Sequence, residues 1–375
     1  ADLLDSIGID LNAGSGALLI NNDLSTRSGV LNLTADQDIT QRNGTSLNGP
    51  QISLNSRRGS INQNGRIIQS GEPAAVLLPA VDVQAGDAIV MSGAAITQAE
   101  NDIRYVSNNN QRLALLNSGT GSISVESRNG AIIDANGNAD NFIAQLVNLR
   151  AFTGIGSFTD SIETRAAELD VVNTGINQGI IDIRNTGDVL LTKLINSGDI
   201  NFNNDTNVTL DTVVADFSRT DTNGSSVSGG DFSFNVDVGS VFGVDRDPGE
   251  VFLNIPDISA NGANIIIANG SFGTIQRPIV LRLRSNLSLL STISSLFFLD
   301  GPPATVRDNS VLQQSVSGQQ LIEVQSLPDV DEIDSLTDVH PAIFTDLRNY
   351  SSEEIAIRLP RDQIFEDELD EYDAR

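Results

Sequence analysis

His340 is the only histidine among the 375 residues, and it stands in Asp338-Val339-His340-Pro341. A catalytic triad would need a nucleophile and an orienting acid brought to that ring in space. No serine lies in a Gly-x-Ser-x-Gly elbow; Gly119-Thr120-Gly121-Ser122 has turn composition instead. Paired carboxylates are the other route to chemistry, because two Asp or Glu groups a few ångströms apart can hydrolyse a glycosidic bond. Asp182, Asp188, Asp199, Asp205 and Asp211 recur at short intervals, and stacked repeats would bring such groups together. Most of them fall in turn clusters, where Asp accepts bonds from nearby backbone N–H groups. On that reading the chain carries no catalytic, cofactor-binding or metal-binding residue and is not an enzyme. Calcium is the one ion that oxygen-rich turns such as Asn203-Asn204-Asp205 and Asp245-Arg246-Asp247 would favour. Neither turn matches an EF-hand loop or the Gly-Gly-x-Gly-x-Asp repeat of calcium-binding β-rolls. With no cysteine there is no disulfide and no thiolate metal site. Nor is there a Gly-x-x-x-x-Gly-Lys phosphate loop.

The elements that would position these carboxylates are short strands. Between residues 170 and 210, apolar residues alternate with polar ones in Ile181-Asp182-Ile183, Val189-Leu190-Leu191, Ile200-Asn201-Phe202 and Val208-Thr209-Leu210. Period-two alternation is the strand signal. Turn clusters close each run: Asn185-Thr186-Gly187-Asp188, Asn196-Ser197-Gly198-Asp199 and Asn203-Asn204-Asp205. Asn, Gly and Asp tolerate the positive φ that tight turns need. Thr186-Gly187-Asp188-Val189 returns as Ser197-Gly198-Asp199-Ile200, 11 positions on (198 − 187). Asp38-Ile39-Thr40-Gln41 returns as Ser60-Ile61-Asn62-Gln63, 22 positions on (60 − 38), and loosely as Ala95-Ile96-Thr97-Gln98. Ser56-Arg57-Arg58-Gly59-Ser60-Ile61 returns as Ser127-Arg128-Asn129-Gly130-Ala131-Ile132. A recurrence near 22 fits one coil of a parallel β-helix, a solenoid whose coils bury their core against their neighbours. Ile181, Ile183, Val189, Leu191, Ile200 and Phe202 are expected inside, since a slip of one residue would bury Asp182 or Asn201.

Residues 1–300 read as this solenoid. Irregular coils are expected at 71–115, with Pro73, Pro79 and Asn108-Asn109-Asn110, and loops at 220–230 and 245–249. The apolar run 287–300, with Phe297 and Phe298, is expected to cap the end, because open strand edges invite aggregation. Residues 301–328 read as a linker. From 329 to 375 there are 15 acidic and 4 basic residues, a net of −11 that still includes Ile343, Phe344, Ile355, Ile357, Ile364 and Phe365. That segment reads as an acidic accessory tail, either docking or solvated, through which copies could self-associate. The net charge of −27 repels nucleic acid and anionic membranes. No stretch reaches the roughly 18 apolar residues of a membrane span. The start Ala1-Asp2-Leu3-Leu4 shows no signal peptide and reads as a piece of a longer protein.

Leu31 to Gln41, Ile52 to Ile61 and Ser122 to Asp134 resemble the repeats of filamentous haemagglutinin-type exoproteins. So do Ala151 to Gly156, Ser161 to Thr164 and Asn185 to Val189, and the resemblance covers about residues 10 to 285. It implies a large secreted bacterial protein exported through an outer-membrane partner. It further implies a right-handed parallel β-helix at the cell surface, used for adhesion to host or surface glycan or protein, or for display. The expected fold class is therefore all-β: a β-solenoid stalk with a short acidic tail. A β-helix enzyme acting on polysaccharide and a subunit of a polymeric filament are the alternatives.

Overall fold

The computed structural model describes residues 8–72, 78–175, 179–215, 219–220, 226–227, 229–244, 256–273, 277, 279–283, 287–291, 293–294 and 296–298. The acidic tail, His340 and Asp245 to Gly249 lie outside the described residues. The chain is all-β and winds into a parallel β-solenoid of about 11 turns. At about 4.8 Å between paired strands, such a stack is roughly 50 Å long.

In the first half each coil carries three strands. A typical coil runs Val30–Ala35, Ile39–Gln41 and Ser46–Gly49, and the next runs Gln51–Ser56, Ile61–Gln63 and Arg66–Gln69. Each strand pairs in parallel with its counterpart one coil on. Ile39 opposes Ile61 and Gln41 opposes Gln63, so the 22-residue recurrence is one coil (61 − 39). The third copy of that phrase belongs elsewhere: Ile96–Gln98 pairs with Arg66–Ile68, while Ile89–Met91 takes the place above Ile61–Gln63. Residues 71–115 depart from expectation too. They hold regular strands Val81–Ala85, Ile89–Met91, Ile96–Gln98, Ile103–Ser107 and Gln111–Leu113. Asn108 to Asn110 form an ordinary corner, in which the Asn108 and Asn109 amides donate to Gly86 and Asp87 of the preceding coil.

The cross-section then changes. Phe142–Ala151 and Ile162–Asn173 run straight through what were two strands of the coil. Beyond them Ile181 opposes Ile200 and Val189 opposes Val208, 19 residues apart (200 − 181; 208 − 189). The 11-residue repeat therefore links successive strands of one coil, not successive coils. Phe232–Val236, Ala263–Ile267 and Leu287–Leu290 continue the stack, and Leu296–Phe298 pairs with Ile279–Leu281. The expected loop at 220–230 contains a hairpin of Arg219–Thr220 with Ser226–Val227.

Alternation turns every second side chain inward, and stacking lines like positions into ladders. One ladder passes through Leu33, Leu54, Val83, Tyr105, Val125 and Leu149 and on to Val213 and Leu281, all buried. Ile181, Ile183, Val189, Leu191, Ile200 and Phe202 are buried as the alternation predicts. Phe202 packs on Phe234 with ring centroids 5.8 Å apart.

Many of the polar residues inside have their groups paired. Ser56 and Ser127, the first residues of the repeated phrase, close the same corner on different coils. Their hydroxyls donate to the carbonyls of Gln37 and Asn109. Gly59 and Gly130 follow because a Cβ there would collide with the backbone around Asp38 and Asn110. In the later coils asparagines take over: Asn173 donates to Asn196 and Asn185 to Asn204, both at 2.9 Å. The Tyr105 hydroxyl reaches Gln63 Oε1 at 2.8 Å and Thr97 Oγ1 at 2.6 Å, and burial pushes the phenol up from its ordinary range.

Candidate functional site

The five aspartates singled out from the sequence do not converge. Asp188, Asp199 and Asp205 tie turns of adjacent coils together. Asp188 accepts from the Asn207 backbone and side chain, Asp199 from the Asp231 N–H, and Asp205 from the Gly187 N–H. The Thr206 hydroxyl beside it and the Asn207 amide hold the Asp188 carboxyl below its usual range. Asp211 is half-buried at the turn after Val208–Leu210. Of the calcium candidates, Asn204 is buried with its amide on the Thr206 carbonyl. Ser122 opens the strand Ser122–Ser127, where its N–H and hydroxyl both donate to Asp102. Among the described residues no group of three His, Cys, Asp or Glu side chains is placed to hold a metal ion.

Asp182 is the exception to the outward register. It alternates with Ile181 and Ile183 and so faces away from the core, yet it is only 1% exposed. The preceding coil covers it. Ile155 bridges Ile132 and Ile181, Asp182 N–H donates to the Ile155 carbonyl, and Gly156 adopts φ of 69° directly over the Asp182 carbonyl. Any Cβ at Gly156 would overlap that carbonyl, so glycine is required there. The covered carboxylate accepts from Ser161 Oγ at 2.9 Å and Asn201 Nδ2 at 3.0 Å. Burial pushes its pKa up, and those two bonds oppose the shift.

The carboxyl groups that do converge were not selected from the sequence. They are Asp134, Asp160 and Glu163, at the corner where the cross-section changes. Asp134 ends the strand Ile132–Asp134 at an inward position, above Leu113. It draws donors from the turn that follows: Asn136 N–H at 3.0 Å, Gly137 N–H at 2.6 Å and the Asn141 amide. The same Asn141 accepts the Glu163 N–H at 3.0 Å, which fixes Glu163 one coil on. Glu163 is 8% exposed, and its Oε2 is buried with no hydrogen-bond partner. Burial and the negative charge of Asp134 push its pKa up to about 7. Asp160, in the tight turn Ser157 to Asp160, is raised as well, by burial and then by Asp134.

Basic and apolar groups border this cluster. Arg112 Nε donates to the Asp134 carbonyl at 3.3 Å, and Arg165 pairs with Asp140 at 3.0 Å. Phe158, at the tip of the same turn, is 67% exposed. A cleft of about 330 Å³ lies alongside, floored by Ile96, Leu115 and Ile143 and walled by Asn136 and Asp140. Chemically, a carboxyl that titrates near neutrality beside other carboxylates can hold or release a proton in the physiological range. Comparison with family models, curated proteins and solved structures finds no match for the chain.

Proposed function

We propose that the chain is the shaft of a secreted bacterial surface protein of the filamentous haemagglutinin type, exported through an outer-membrane partner and used for attachment or display. The observation that carries this reading is the unbroken inward ladder through successive coils beneath an outward surface of short polar side chains. Positions such as Asn32, Ser53 and Ser124 share one outward row, and paired charges such as Arg104 with Asp82 at 3.0 Å complete it. Such a rod transmits load along backbone hydrogen bonds. The test is attachment: cells displaying the chain on their surface should bind glycan- or protein-coated supports, and cells exporting an unrelated rod should not. Equal attachment by both would remove the adhesive reading.

One observation favours a second reading, a β-helix enzyme acting on polysaccharide. Asp134, Asp160 and Glu163 stand near Arg112, Arg165 and the exposed Phe158, a composition suited to sugars. Turnover on a glycan panel that Glu163→Gln abolishes would establish it in place of the shaft. A filament subunit joined through the tail would instead show mass increasing with concentration in light scattering.

A further inference from the structure

We propose that Asp134, Asp160 and Glu163 form a proton-operated latch, which holds residues 152–161 against the solenoid while Glu163 is protonated and loosens them when it ionises. The geometry supplies each part. The segment contains an insertion: six residues, 156–161, separate Ile155 from Ile162, whereas one residue separates their counterparts Ile181 and Ile183 on the next coil. The segment is anchored by Ile155 on the core ladder and by Ser161 on Asp182. Between those anchors its turn places Asp160 beside Asp134.

The donors at this corner are already committed. Asp134 takes the N–H groups of Asn136 and Gly137 and the amide of Asn141, whose other contacts are the Leu113 carbonyl and Asn136 Oδ1. Glu163 Oε2 is left buried and unpartnered. A neutral carboxyl tolerates that position, but an ionised one does not, because a buried charge without a partner is strongly disfavoured. Relief then comes from water reaching the oxygen and from the turn that carries Asp160, whose charge acts on Glu163, moving away from the new charge.

The surrounding charges point the same way. Asp134 from the preceding coil and Asp160 from the turn both oppose ionisation of Glu163. Arg184, opposite Glu163 in register on the following coil, favours it but is exposed. Arg112 donates to the Asp134 carbonyl and acts on Asp160. Arg165 is engaged by Asp140, and Asp182 by Ser161 and Asn201. No nearby cation is both buried and uncommitted among the described residues. The burial pushing Glu163 up to about 7 puts the change within the pH range a protein outside the cell meets.

Hydrogen–deuterium exchange on the intact chain at pH 5.5 and pH 8, corrected for the intrinsic pH dependence of exchange, tests the latch. Amides of residues 152–161 should lose protection about tenfold or more at the higher pH, while amides of Ile200–Asn204 keep theirs. Glu163→Gln should hold the segment closed at both values. Asp160→Asn, which leaves the buried carboxyl in place, should move the transition to higher protection at pH 8 without abolishing it. This second variant decides the matter should Glu163→Gln fail to fold. Equal protection at both pH values in the unaltered chain, or an unchanged pH response in Glu163→Gln, would overturn the proposal.

Discussion

Replacing Ile183 by Asp sets two neighbouring positions against each other. Ile183 is fully buried between Ile162 and Phe202 in the inward ladder. Asp182, one residue earlier, is buried too, but two donors hold its carboxylate. An aspartate at 183 would meet only aliphatic and aromatic groups in its ladder. Loss of the isoleucine burial costs about 1.5–3 kcal/mol. Keeping the new carboxyl neutral at pH 7, about three units above its ordinary pKa and at about 1.36 kcal/mol per unit, adds roughly 4 kcal/mol. The sum, roughly 6 kcal/mol, is comparable to the whole stability of an ordinary domain. Neighbouring coils depend on one another, so the loss should spread beyond one coil. Urea denaturation followed by circular dichroism measures it. Ile183→Val should cost only about 0.5–1.5 kcal/mol. The introduced carboxyl has a raised folded pKa, so its cost grows as pH rises and should shrink markedly at pH 5. A variant as stable as the parent at pH 7, or one destabilised more at pH 5 than at pH 7, would refute the register and the argument from pairing.

Four further outcomes are expected. Asn185→Ala strips an acceptor from Thr164 Oγ1 and the Ala166 N–H and a donor from Asn204, and should cost about 2–4 kcal/mol by denaturant titration. Tyr105→Phe keeps the ring but leaves Gln63 and Thr97 short of a partner, for a loss of about 1–3 kcal/mol by the same measurement. Gly156→Ala combines a positive φ with overlap on the Asp182 carbonyl, and should lower the melting temperature more than Gly14→Ala, where a Cβ meets open space. Glu163, raised from 4.5 to about 7, binds more protons folded than unfolded between those values. Stability should therefore fall as pH climbs from about 4.5 to about 7, and Glu163→Gln should flatten that decline in a pH series of denaturation midpoints.

The fold was legible because a solenoid writes its geometry along the chain. Alternation in Ile181-Asp182-Ile183 sets the inward face, and the spacing of Gln41 and Gln63 equals one coil where no insertion intervenes. The same local signals misled where two faces share a phrase: Ile96-Thr97-Gln98 resembles Ile61-Asn62-Gln63 but sits on a different strand of the coil. They also could not separate a repeat within one coil from a repeat between coils, as at Val189 and Ile200. Burial of Asp182 was invisible for another reason. Its register is outward, and only the passage of Ile155 and Gly156 over it removes the water. The carboxyl cluster is likewise a product of stacking. Asp134 ends one strand, Asp160 lies in a turn and Glu163 lies in another strand, and nothing in their separate surroundings marks them as partners. Sequence alone determined which side chains point inward, because that depends on alternation within a few residues. Which polar groups meet and which lose their water depend on coil lengths summed over many residues, and only the tertiary structure decided them.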